Sequence, residues 1–176
     1  MEVGVSKIKV VITDYIEPDL NWEEEQFARL GVEFKYHQLK FGSPEQIVAA
    51  AADADIVVVN MAKIDAEVID GLRRSKLIIR HGIGYDNVDV AAATRRGIVL
   101  ANIPDYCVHE VAEHAVMLIL ACQRKLLLQH RILLDSAARG NWDFDPIYPV
   151  YSLRGKTLGI VGFGRIGCTV YRMMQG

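Results

Sequence analysis

Thr157-Leu158-Gly159-Ile160-Val161-Gly162-Phe163-Gly164-Arg165-Ile166-Gly167 decides the reading of this chain, because an apolar segment runs directly into Gly-x-Gly-x-x-Gly and then into helical residues. Residues 158–161 predict a buried parallel strand, and Ile166, Val170 and Met173 recur at helical spacing. In such a turn Gly162 allows the sharp exit from the strand, Gly164 lets the main chain approach a ligand, and Gly167 lets helix pack on strand. A dinucleotide pyrophosphate needs a place of this kind, where backbone comes close and amide N–H groups point outward. A purely structural turn could use the same glycines. The flanking strand and helix favour the nucleotide.

Working back from that motif, residues 8–13, 32–36, 56–59 and 77–80 are short apolar segments alternating with helical ones at 22–30, 44–52 and 66–72. Ser43-Pro44 and Asp65 are helix starts, and Gly31 is a stop. Val/Ile runs without polar alternation are expected where both sheet faces carry helices. Residues 1–101 therefore predict a small parallel α/β domain. The loop His81-Gly82-Ile83-Gly84-Tyr85-Asp86-Asn87-Val88-Asp89 follows the fourth segment. A helix at 90–96, capped by Asp89 and stopped by Gly97, leads to a short strand at 99–101. After Asn102-Ile103-Pro104-Asp105, one helix is expected from Val108 through at least Arg131, apolar on nearly every face. A helix so apolar needs a large buried partner surface, and a second copy of the chain is the simplest supplier. Residues 139–152, whose stretch from Gly140 to Pro149 holds three aromatics and two prolines, read as a connector.

The chain has 176 residues, 51% of them hydrophobic and 24% charged, with a net charge of -2. That is one domain and part of another, of ordinary globular composition, with no basic surplus to suggest nucleic acid. Cys107, Cys122 and Cys168 are widely spaced, so neither a metal site nor a disulfide framework is expected, and a reducing, cytoplasmic setting fits. No apolar h-region follows Glu2 and Lys7, and the most apolar run, 115–122, falls short of the ~20 residues that cross a bilayer. No repeat of fixed period occurs.

Three blocks of this sequence, in this order and at similar spacing, resemble the D-isomer-specific 2-hydroxyacid dehydrogenases. They are Arg80 to Asp89, then Asn102-Ile103-Pro104 leading to Val111-Ala112-Glu113-His114-Ala115, then Leu153-Arg154-Gly155-Lys156-Thr157-Leu158-Gly159 with its glycine turn. The resemblance implies a flavodoxin-like substrate domain over residues 1–101 and an incomplete Rossmann NAD-binding domain over 102–176, with a cleft between. It implies hydride transfer between NAD and C2 of a small D-2-hydroxy acid or its 2-keto acid, chemistry the cofactor carries and the protein positions. Ile83 and Gly84 become the amide donors for the substrate carboxylate, with His81 beside them. Gly162, Phe163, Gly164, Arg165, Ile166 and Gly167 become cofactor contacts, with Val108 on the nicotinamide side. The family's catalytic arginine, glutamate and histidine have no matching motif here, so no catalytic residue is assigned. The 176-residue polypeptide is expected to be inactive alone. A homodimer through the helix from Val108 is expected, with no nucleic-acid or membrane partner. The alternative is a corepressor-like, NAD(H)-binding or dimerisation module without turnover.

Other residues read as structural. His114 is expected to pair along its helix with Glu110. Asp86-Asn87 is expected to form an Asx-type turn and Asp89 a helix cap, rather than a metal or acid/base pair. Cys107 precedes a helix but has no partner histidine, so it reads as incidental.

Overall fold

The computed structural model describes residues 7–143 and 147–175. Residues 1–6, read above for a leader, and Phe144-Asp145-Pro146 of the connector lie outside the described residues. The chain forms two compact units, Met1–Tyr106 and Cys107–Gly176.

The first unit alternates β1 (Lys9–Ile12), α1 (Asn21–Arg29), β2 (Glu33–Tyr36), α2 (Pro44–Ala51), β3 (Ile56–Val59), α3 (Ala66–Gly71), β4 (Leu77–Arg80), α4 (Val90–Arg95) and β5 (Val99–Asn102). All strand pairs are parallel, in the order β2-β1-β3-β4-β5. This is the doubly wound, flavodoxin-like order, which reverses direction between β1 and β3. Local chemistry sets the helix starts. Ser43 and Gln46 form a reciprocal capping box ahead of Pro44, while Asp65 accepts from the Val68 amide and Asp89 from the Ala92 amide. Gly31 and Gly97, at φ 68° and 67°, end α1 and α4 in the left-handed region.

The two faces of the sheet differ. Val11, Val57, Val59 and Ile78 are fully buried with Ile47 of α2, Val68 and Ile69 of α3, and Ala92 and Ala93 of α4. Ile56, Val58, Leu77 and Ile79 on the opposite face are only half-buried. The expectation of helices on both faces therefore holds fully for one. On the other, α1 packs against β2 through the Phe27 and Phe34 rings, 4.8 Å apart, and no α1 residue is buried.

The second unit contains α5 (Val108–Gln123), α6 (Leu126–Ala138) and α7 (Arg165–Met173), with α7 packed on α5. Two expectations are corrected here. The single helix through Arg131 is broken at Arg124-Lys125, where Lys125 takes φ 54° and its Nζ donates to the Ile147 carbonyl at 3.0 Å. No glycine or proline marks the break, so a contact distant in sequence makes it. Residues 158–161 do not join a sheet, because a strand exists only through a neighbour's ladder and every strand among the described residues lies in the first unit. Val161 is fully exposed. No helix among the described residues is long and apolar enough to cross a membrane.

Candidate functional site

The carboxyl ends of parallel strands, near the point where strand order reverses, are where such sheets bind ligands. Here that edge carries two turns built from outward amides.

The turn after β3 is already filled. The Asp14 carboxylate, at the end of β1 and 2% exposed, accepts the amides of Asn60, Met61 and Ala62 at 3.2, 2.6 and 3.1 Å. The Thr13 hydroxyl donates to it as well, at 3.0 Å.

The turn after β4 is braced but not filled. His81 N–H donates to the Val59 carbonyl and Gly82 N–H to that of Arg80, both at 2.8 Å. Asn102 Nδ2 donates to the Ile83 carbonyl at 2.7 Å, and Ile103 N–H to the Gly82 carbonyl at 3.0 Å. Two carbonyls of the turn are thus tied to β5 and its continuation, while among the described residues the Ile83 and Gly84 amides have no acceptor. Gly84 is exposed and Ile83 half-buried. The rest of the loop is stitched to the segment after β3. Asn87 Nδ2 donates to the carbonyls of Asn60 and Ala62, and Ile64 pairs in a parallel bridge with Val88. Asn87 therefore bridges two loops rather than forming the Asx turn expected for it.

His81 stands beside this turn with Nδ1 3.8 Å from Glu17 Oε1. Both line a pocket of about 180 Å³ whose floor includes Ile12, Leu20 and Val58. Two of the perturbed carboxyl groups, Asp53 and Asp55, lie away from this edge. Asp55, just before β3, is held below the usual carboxylate range by the Lys9 backbone N–H and by the Arg74 guanidinium. Asp53 is lowered by Lys9 Nζ, and Asp65 by the Val68 amide it caps. These pairs serve the amino edge of the sheet and a helix cap. Among the described residues no cluster could hold a metal ion.

In the second unit the glycine turn has the backbone its spelling implies. Gly162 takes φ 90°, and a Cβ on Gly167 would overlap the Gly162 carbonyl oxygen. A Cβ on Gly164, the N-cap of α7, would meet nothing within 4 Å. Phe163 is exposed against Tyr171, and Val108 is the first residue of α5. The Glu110–His114 pairing is absent, and His114 is exposed. Cys107 is the N-cap of α5 without a side-chain cap bond.

Sequence reasoning missed Asp14, Arg80 and Asn60 at the carboxyl edge. An aspartate directly after the first strand was the one visible signal.

Residues 10–170 match the family described as D-isomer specific 2-hydroxyacid dehydrogenase, catalytic domain. The chain belongs to this family. It is 37% identical to a glyoxylate reductase of Pyrococcus furiosus over 97% of this chain and 51% of that one. It is 44% identical to a D-3-phosphoglycerate dehydrogenase of Archaeoglobus fulgidus over 65% of this chain and 21% of that one. The chain thus spans about half or less of the length of these relatives. Its structure is similar to NAD-dependent formate dehydrogenase from Staphylococcus aureus in complex with NAD, with TM-score 0.80 and 28% identity over 95% of this chain and 53% of that one. It is also similar to D-lactate dehydrogenase from Aquifex aeolicus complexed with NAD and lactic acid, with TM-score 0.77 and 25% identity over 93% and 47%.

Proposed function

We propose that the first unit binds a small 2-hydroxy or 2-keto acid and that the second carries the diphosphate seat of NAD, for hydride transfer at the CH–OH carbon. The observation that carries the reading is the turn after β4, where two adjacent amides lack an acceptor among the described residues, at the edge where such sheets bind ligands. Ile83 and Gly84 donate to the acid's carboxylate, and His81 borders it. The residues of the glycine turn fit a dinucleotide: Gly162 has the backbone only glycine takes readily, and the main chain at Gly164 is open to approach. Gly162 to Gly167 hold the diphosphate, and Val108 lies toward the nicotinamide. NAD, when bound, supplies the hydride acceptor or donor.

Residues 1–176 carry no motif for the family's catalytic arginine, glutamate and histidine, so this polypeptide alone binds without turning over. The exposed apolar residues Met117, Leu118 and Leu120 of α5 and Leu127 of α6 support a homodimer through the helix from Val108. They equally favour the second reading, a nucleotide-binding or dimerisation module of the corepressor type. Three unpaired cysteines suit a reducing cytoplasm.

Titrating the 15N-labelled chain with glyoxylate or D-lactate tests the central assignment. The Ile83 and Gly84 amide resonances are expected to move first and furthest, and NADH absorbance with 2-keto acids to stay constant. Shifts confined to other segments would remove the turn from the site. Steady NADH oxidation by these 176 residues would refute the inactivity.

A further inference from the structure

Arg80 closes β4, one residue before the turn whose amides are open. Its guanidinium makes no hydrogen bond or ion pair among the described residues, and its Nε is buried without an acceptor. Two other arginines of the same unit are engaged. Arg74 forks onto Asp55, and Arg96 donates to the Asp70 and Leu72 carbonyls. An arginine is always charged and offers five donors in a fixed fork, so burying part of it unpaired is costly unless an anion completes the site.

Its position is specific. Nη1 of Arg80 fills the space that a Cβ on Gly82 would need, so the guanidinium lies along the turn, one residue from the Ile83 amide. Gly82 itself is buried. A side chain at position 82 would displace the guanidinium. A second unused donor sits close in register. Val59 is the Cα partner of Arg80, and the next residue, Asn60, is 5% exposed with its Nδ2 buried and unpaired. Two of the neighbouring carboxylates are occupied, while the third, Asp86, is exposed beside Gly84. Asp14 is saturated by three amides and a hydroxyl, and Glu17 accepts from the Ile16 amide and faces His81.

We infer that Arg80, with Asn60 behind it, recognises a second anionic group on the substrate, a carboxylate or a phosphate beyond the one held by Ile83 and Gly84. The inference rests on the proposed acid site at that turn and narrows its substrate class. A bare 2-hydroxy acid uses the amides alone. One carrying a second anion also engages the fork, which favours anions through paired, charge-assisted bonds.

The test compares D-malate with D-lactate, which differ by that second carboxylate, at constant ionic strength. Affinities are read from the Ile83 and Gly84 amide shifts of the 176-residue chain. The wild type is expected to bind D-malate roughly ten- to a hundredfold more tightly. Arg80→Gln is expected to abolish the preference while leaving D-lactate affinity within about twofold. Arg80→Lys, which keeps the charge but not the fork, is expected to retain part of it. Equal affinities in the wild type, or a preference that survives Arg80→Gln, would overturn this inference and leave the acid site standing. If neither acid moves those amides, the site and the inference fall together. An Arg80→Gln chain that loses D-lactate binding equally would assign Arg80 a structural role and overturn the inference as well.

Discussion

The turns after β3 and β4 lie side by side at one edge of one sheet, and both direct backbone amides outward, yet one is closed and the other open. After β3, the chain supplies its own anion: Asp14 takes three amides that follow it by 46 to 48 residues. After β4, the carbonyls are tied down by Asn102 and Ile103 while the Ile83 and Gly84 amides are left over. The first arrangement locks β1 to β3 at the reversal point. The second directs two amides outward with no carboxylate of the chain on them among the described residues, and its rigidity comes from elsewhere. An open nest is therefore informative because its closed neighbour shows what the same fold does when the purpose is stability.

The largest effect should come from emptying the closed turn. Asp14→Ala leaves three amides at a largely buried site without their acceptor. Unsatisfied buried groups cost about 1–3 kcal/mol each, so a loss of about 3 kcal/mol or more is expected in urea unfolding. In the open turn, Gly84→Ala should do the reverse. The new methyl meets only Asp86 Oδ2 at 3.6 Å, ordinary contact, and stability should change by about 0.5 kcal/mol or less. Affinity for small 2-hydroxy acids should nonetheless fall, by roughly tenfold, because the methyl crowds the edge where the carboxylate docks. If Asp14→Ala were nearly neutral, or Gly84→Ala strongly destabilising, the distinction between a structural and a receptive turn would collapse.

The glycine turn of the second unit repeats the contrast within six residues. Gly167→Ala places a methyl against the Gly162 carbonyl, so either the turn or α7 must shift, at about 1–3 kcal/mol. Gly164→Ala meets open space and loses only some N-cap preference, about 1 kcal/mol or less. Both should weaken NADH binding, measured by fluorescence, but for different reasons: one distorts the seat and the other obstructs it. A Gly164→Ala chain that binds NADH unchanged would place the diphosphate elsewhere.

Most of the first unit could be read from residues near one another in sequence. Ser43, Asp65 and Asp89 cap helices through amides three residues on, and the Val/Ile segments become strands in place. What escaped reading depended on distance or on absence. The partners of Asp14 lie two helix crossovers away, after β3. That Arg80 lacks an acceptor among the described residues is a property of everything around it, which no local pattern records. The break at Lys125 needs the Ile147 carbonyl, and residues 158–161 have the composition of a strand without a neighbour among the described residues. The glycine turn was legible because its requirements, a positive φ and a close approach, are met by the residues themselves.

The smallest expected effect concerns the opposite edge of the sheet, where carboxylates are permanently engaged. Asp55 takes the Lys9 backbone N–H at 2.8 Å and the Arg74 fork, and Asp53 takes Lys9 Nζ at 2.6 Å, while Asp65, on the carboxyl side, is engaged in the same way as the cap of α3. Each has its folded pKa lowered below the ordinary 3.8. A lowered carboxyl pKa means the unfolded chain takes up the proton first, so the stabilisation is complete above about pH 4 and drains away as pH falls below that. The urea midpoint should therefore be insensitive to these groups between pH 5 and 7 and decline below about pH 4. Asp55→Asn should lower the plateau slightly and flatten the decline, by less than the cost of Asp14→Ala because these pairs remain partly in water. Affinity for a monoanionic acid at the open turn involves none of the three groups. If its pH dependence above pH 5 nevertheless changed in Asp55→Asn, the two edges would be coupled, and the separation between a pre-paired edge and a receptive one would have to be abandoned.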